Sequence, residues 1–186
     1  MIMLQKDNCT LYSGGLKGAE CAFGEAAEKF GIKEVNFTFA GRTPDRRKHL
    51  VVLSDDELRR GDISMELAAK MMNRTYYAAE NIRKVLQTIF HMVNKGHQVF
   101  AVGAILADNT VKGGTGWAVE LAKLFNLPVS VYDQDKDQWF TWNDGGWQQD
   151  TPTIRHKTIV GSGTRDLTDK GRAAINKLFA DAFADG

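Results

Sequence analysis

Hydrophobic residues along the chain fall into two rhythms. Short apolar runs at residues 9–12, 35–39, 51–53, 99–105, 128–132 and 158–160 have the length and composition of strands. Between most of them the apolar positions recur every three or four residues, as helices require. The clearest helix covers 79–94, where Ile82, Val85, Leu86, Ile89, Phe90 and Val93 form one stripe and Gly96 follows as a stop. Start signals mark shorter helices. Ser54 with Glu57 forms a capping box, Asp62 is placed to cap a helix over 64–72, and Thr168 to cap one carrying Ile175, Leu178, Phe179 and Phe183. Strands alternating with helices predict an α/β fold: a Rossmann-like three-layer sandwich with a mainly parallel sheet. Trp139, Phe140, Trp142 and Trp147 flank Asn143-Asp144-Gly145-Gly146, a strong turn signal, so 139–147 is expected to be an inserted β-hairpin.

Composition narrows the partners. With 186 residues, 43% of them hydrophobic and 25% charged, the chain is expected to fold as one domain over 1–186. A net charge of +1 and no basic run longer than Arg46-Arg47-Lys48 argue against a nucleic-acid polymer and leave a small anionic ligand open. Cys9 and Cys21 lack metal-ligand spacing and read as reduced thiols; no metal is expected. No apolar stretch reaches signal-peptide or membrane-spanning length, so the expectation is a cytoplasmic protein without a membrane partner.

The candidate chemistry lies in three glycine-bearing turns, each expected to follow a strand and open a helix. They are Ser13-Gly14-Gly15-Leu16-Lys17-Gly18, Lys112-Gly113-Gly114-Thr115-Gly116 and Gly161-Ser162-Gly163-Thr164-Arg165. Glycine lets backbone N–H groups approach a phosphate, and a helix N-terminus adds roughly half a positive charge. Ser13, Lys17, Thr115, Thr164 and Arg165 add donors. No turn is a Walker A loop and none carries the full dinucleotide fingerprint, which argues against ATP hydrolysis and nicotinamide redox chemistry. Arg74, Arg83 and Arg165 are candidates for a phosphate clamp, because guanidinium groups bind phosphate oxygens bidentately. Glu20 and Glu25 follow the first turn, and two readings of them stand level: a ribose acceptor, or a complement to the helix N-terminus. Trp117 is a candidate for stacking on a base, and the four scattered histidines read as structural.

These residues carry a family resemblance. Residues 112–120, Lys-Gly-Gly-Thr-Gly-Trp-Ala-Val-Glu, resemble the G-G-x-G-T-x-x-E signature of the lonely-guy phosphoribohydrolases, with Glu120 in register and Trp117 in place of threonine. The Gly14-Gly15…Gly18 turn, Arg74-Thr75…Asn81, Gly113-Gly114-Thr115 followed by Pro128-Val129, and the turn ending in Gly163-Thr164-Arg165 are similar to segments of the molybdenum-cofactor carrier proteins. Both groups belong to the SLOG superfamily of Rossmann-like domains, and the chain resembles the carrier branch over residues 11–172. The resemblance implies a nucleotide-type ligand held without a further required cofactor, Thr75 and Asn81 among its contacts, and a homo-oligomer. It also implies that the 79–94 helix and the hairpin are insertions. Three readings stay open. The favoured one is binding of a nucleotide or a nucleotide-derived signal, such as an ADP-ribose-like or cyclic nucleotide. The second is a nucleotide N-glycosidase using Glu120; the third is a ligand-free interaction protein acting through the tryptophan hairpin.

Overall fold

The computed structural model describes residues 4–184. Eight strands, β1 (Thr10–Ser13), β2 (Lys33–Phe39), β3 (Leu50–Leu53), β4 (Gln98–Gly103), β5 (Val129–Asp133), β6 (Gln138–Asn143), β7 (Gly146–Gln149) and β8 (Thr158–Gly163), form one sheet in the order β3-β2-β1-β8-β4-β5-β6-β7. All neighbours run parallel as far as β5; β6 and β7 are antiparallel. The helices are α1 (Ala19–Lys29), α2 (Asp55–Arg59), α3 (Asp62–Met72), α4 (Glu80–Lys95), α5 (Thr115–Leu124) and α6 (Asp169–Phe183). The central strands β4 and β5 are buried along their whole length, as strands covered on both faces must be.

Two apolar layers flank the sheet. One joins α3, α4 and α5 to β2 and β4 through Met65, Leu86, Met92, Trp117 and Leu121. The other joins α1 and α6 to Leu11, Phe100 and Ile159 through Phe23, Ile175 and Phe179. The architecture is α/β and consistent with the Rossmann-like sandwich read from the sequence. No helix among the described residues is long and apolar enough to cross a membrane.

Local signals explain most boundaries. Ser54 and Glu57 make the reciprocal capping box, and the Thr168 hydroxyl accepts from the Gly171 N–H at 3.0 Å. Asn143 pairs with Gly146 across Asp144 and Gly145, both at positive φ (49° and 80°), which is the backbone a two-residue hairpin turn demands. Its side chains divide between the layers: Trp139 packs on Phe100 and Tyr132, whereas Trp142 and Trp147 pack on the α5 side. His91 is satisfied structurally, its Nε2 2.6 Å from the Glu57 carbonyl oxygen.

Two expectations are corrected. Asp62 does not cap α3: the cap is Gly61 without a side-chain bond, and the Asp62 carboxylate instead accepts from the Tyr76 hydroxyl at 2.6 Å and Gln87 Nε2 at 2.9 Å. β4 ends at Gly103, two residues early. The chain then runs a loop closed by an antiparallel bridge between Ile105 and Val111 before reaching the second glycine turn.

Candidate functional site

Order in the sheet decides where a ligand fits. From β1 the chain builds outward through β2 and β3, and from β4 outward in the opposite direction through β5, with β8 between the two halves. Parallel sheets open a crevice at the carboxyl ends of their strands where the direction of winding reverses. Here that crevice is a cleft of about 860 Å³, lined by parts of all three glycine turns: Gly14 and Lys17, Lys112 to Thr115, and Gly163 to Arg165. Phe37, Phe39, Val85, Ile89 and Met92 supply an apolar wall from β2 and α4.

The second turn presents a run of backbone donors to the cleft. Gly113 is left-handed (φ 70°), and Gly114 after it is right-handed (φ −61°, ψ −32°). This alternation curls successive N–H groups into a nest. Among the described residues nothing accepts from the N–H groups of Gly113, Gly114 or Thr115. They stand at the start of the ten-residue helix α5, at the positive end of its dipole. A Cβ at either glycine would meet open space, so nothing crowds the nest. Thr115 is only 7% exposed yet lines the cleft, and its hydroxyl has no hydrogen-bond partner among the described residues. Arg74 supports the loop from behind, donating to the carbonyl oxygens of Gly113 (3.0 Å) and Val111 (2.8 Å). Gly116 packs so closely that a Cβ there would collide with the Val111 carbonyl oxygen.

The first turn is occupied by the protein itself. Glu20, 7% exposed on the first turn of α1, folds back so that Oε2 accepts from the Leu16 N–H at 3.0 Å. Burial pushes its carboxyl up to about 7, against the Leu16 N–H, the Arg42 and Arg165 charges and the Gly14 N–H, all of which favour the ionised form. Other parts of this turn are spent on packing. Ala19 N–H donates to the Thr164 carbonyl oxygen at 2.9 Å, and a Cβ at Gly18 would strike that same oxygen. Gly15 lies against the Arg46 backbone, and the Ser13 hydroxyl donates to the Gly161 carbonyl oxygen at 2.8 Å.

The third turn departs from its expected place: Gly161 to Gly163 belong to β8, and α6 starts only at Asp169, so Arg165 does not stand at a helix entrance. Thr164 N–H is bound to the Val102 carbonyl oxygen and the Thr164 hydroxyl takes the Asp166 N–H, but the Arg165 N–H has no acceptor among the described residues. Ser162, 3% exposed, lines the cleft with a hydroxyl that likewise has no partner among those residues. Gly161 and Gly163 are packing glycines: a Cβ at the former would overlap the Phe23 ring, at the latter the Ala19 Cβ at 2.6 Å.

The cleft thus gathers Gly14, Lys17, Gly113, Gly114, Thr115, Gly163, Thr164 and Arg165 from the sequence-derived candidates, and leaves others outside it. Arg83 pairs with Asp62 at 3.3 Å and lies over the Tyr76 ring; Thr75 and Asn81 are exposed away from the cleft. Trp117 is 3% exposed and packs on Tyr76, with no face left for a base. Glu120 is buried beside Lys123 at 3.3 Å and does not line the cleft. Lys123 in turn donates to the Asn109 carbonyl oxygen and lies 3.8 Å from the Trp142 ring centre; Trp147 Nε1 donates to the same Asn109 carbonyl. The hairpin tryptophans are thereby tied down to α5.

Sequence reasoning missed Arg42, Gln134 and Asp135, which line the cleft from the ends of β2 and β5, and the α4 wall. Arg42 carried a signal: it follows Gly41, a fourth glycine at a strand end with positive φ (89°). Glu25, the other acid after the first turn, is exposed and paired with Arg172 at 2.6 Å. No group of three or more potential metal ligands occurs among the described residues. No family model, curated protein or solved structure matches this chain.

Proposed function

We propose that this protein binds a nucleotide or nucleotide-derived ligand in the cleft, its phosphoryl group seated on the Gly113-Gly114-Thr115 nest. The observation that carries the reading is the set of three unspent N–H groups at the mouth of α5, beside the Thr115 hydroxyl and Lys112. Gly113 and Gly114 are exposed and Thr115 is buried, so these leftover donors at a helix start are open to an anion from the cleft. The Phe37, Phe39, Ile89 and Met92 wall offers the apolar surface a base requires. Under the family resemblance the hairpin is an addition to a smaller sheet.

Binding without turnover is the reading the geometry supports best. Hydrolysis of an N-glycosidic bond through Glu120 needs that carboxylate at the ligand, whereas it is paired with Lys123 outside the cleft. The test is mass spectrometry of small molecules released on denaturation, with thermal shifts against adenosine 5′-monophosphate, ADP-ribose and cyclic nucleotides, since a ligand that binds only the folded state stabilises it. Gly114→Asp places a carboxylate over the nest without a clash. The expected outcome is a nucleotide-dependent stabilisation that this variant abolishes. No released nucleotide and no shift across the panel overturns the proposal.

A further inference from the structure

The three glycine turns read alike in sequence but are not chemically alike in the fold. Two adjacent parallel strands lie roughly 5 Å apart, so the turns after β1 and β4, which flank β8, stand about 10 Å from each other. At the β4 end the nest is unspent. At the β1 end the Glu20 carboxylate already holds the Leu16 N–H, the kind of donor a phosphate would use there. Above about pH 7, where Glu20 is ionised, the protein's own carboxylate fills that position.

We propose that Glu20 converts the first glycine turn from an anion site into a hydroxyl-reading site, so that the cleft selects a single phosphate monoester carrying free sugar hydroxyls toward β1. The inference rests on the phosphoryl position proposed for the nest. A carboxylate has four acceptor sites, and the Leu16 and Gly14 N–H groups draw on two. Those remaining accept from a vicinal diol, whereas a second phosphate at the same place meets like charge. A pentose 5-phosphate, with a hydrogen bond added at each end, covers the distance of about 10 Å between the turns. Arg42 and Arg165 line the same part of the cleft from beyond β2 and β8, and their charges favour the ionised form of Glu20.

The experiment compares three probes by calorimetry at about pH 8, where Glu20 is ionised: adenosine 5′-monophosphate, its 2′,3′-dideoxy analogue, and adenosine 3′,5′-bisphosphate. The wild type is expected to prefer the monophosphate to the dideoxy analogue by about tenfold to a hundredfold, the worth of one hydrogen bond to a charged acceptor. It is expected to bind the bisphosphate more weakly than the monophosphate. Glu20→Gln keeps an oxygen for the Leu16 N–H but removes the charge, and should shrink the diol preference while improving the bisphosphate relative to the monophosphate. A general loss of folding would not reverse the order of two ligands, and Glu20→Asp, which retracts the carboxylate by one methylene, provides a second variant. Equal wild-type binding of monophosphate and dideoxy analogue, both lost in Gly114→Asp, overturns the role of Glu20 and leaves the nest standing. Undiminished binding in Gly114→Asp overturns the nest, and with it this inference; so does the absence of binding by all three probes.

Discussion

Arg74 Nη1 donates to the Gly113 carbonyl oxygen at 3.0 Å, across 39 residues of chain. The bond fixes the peptide whose far side presents the Gly114 N–H to the cleft, and Nη2 fixes Val111 at the same time. The arginine that sequence reading placed on the phosphate instead shapes the backbone that would bind it. Arg74→Ala should weaken nucleotide binding roughly tenfold, through loss of preorganisation rather than of a ligand contact. Thermal shift with and without nucleotide checks this. An unchanged affinity in the folded variant shows that the loop holds its shape unaided.

Thr115 offers a cleaner probe of the nest. Thr115→Val replaces an unpartnered hydroxyl with a methyl group of similar size, so nothing inside the protein loses a bond. Affinity for a phosphate monoester should fall by about 1 to 2 kcal/mol, near tenfold, with stability of the free protein unchanged or slightly raised. Titration calorimetry alongside urea unfolding separates the two. Loss of stability with full affinity contradicts the assignment.

Stability should decline as the solution turns alkaline of Glu20. Its carboxyl, ordinarily near 4.5, is pushed by burial to about 7, so between those values the folded protein keeps a proton that the unfolded chain has released. The contribution is fully present below about pH 4.5 and is lost as pH rises through about 7, a change of about 3 kcal/mol. Glu20→Gln does not titrate there. Unfolding free energies of wild type and variant, measured in steps from about pH 5 to about pH 8, should diverge by this amount. Parallel curves refute it.

Glu120 and Lys123 make a buried ion pair whose lysine also supports the hairpin. Glu120→Ala leaves the ammonium without its carboxylate and should cost about 3 kcal/mol. Nucleotide affinity should stay within about threefold, less than 1 kcal/mol. Nucleotide hydrolysis by the wild type, lost in a variant of wild-type stability, would instead restore Glu120 to the chemistry.

Packing makes Gly116 sensitive for a different reason. Gly116→Ala would drive a methyl group into the Val111 carbonyl oxygen and towards the Arg74 guanidinium, and overpacking of this kind costs about 1 to 3 kcal/mol. Both the melting temperature and nucleotide affinity should drop, because the same displacement pushes the nest. A neutral substitution rules out that coupling.

Strands and helices were legible because hydrophobic period is a local property: the 79–94 stripe and the runs at 99–105 and 128–132 became α4, β4 and β5 to within about two residues. The Ser54 and Thr168 caps were legible for the same reason. Asp62 was misread because its partners Tyr76 and Gln87 lie 14 and 25 residues away. The glycine turns show the limit more sharply. A glycine signals backbone that can approach a ligand, but whether its N–H is free depends on acceptors brought from elsewhere, such as the Thr164 carbonyl at Ala19. Glu120 lies one helical turn beyond Gly116 and so shares the face that packs on Val111, not one that lines the cleft.

Among the described residues β8 is the last strand along the chain, yet it sits in the middle of the sheet, pairing Ile159 with Leu11 on one side and Val160 with Val99 on the other. A ribosome therefore delivers two half-sheets whose inner edges, β1 and β4, wait unpaired until residues 158–163 emerge. Such exposed edges invite foreign strands, and closing a loop across most of the chain is slow. A chain truncated before β8 would lack the strand that joins the two halves of the sheet and the Ser162–Arg165 wall of the cleft.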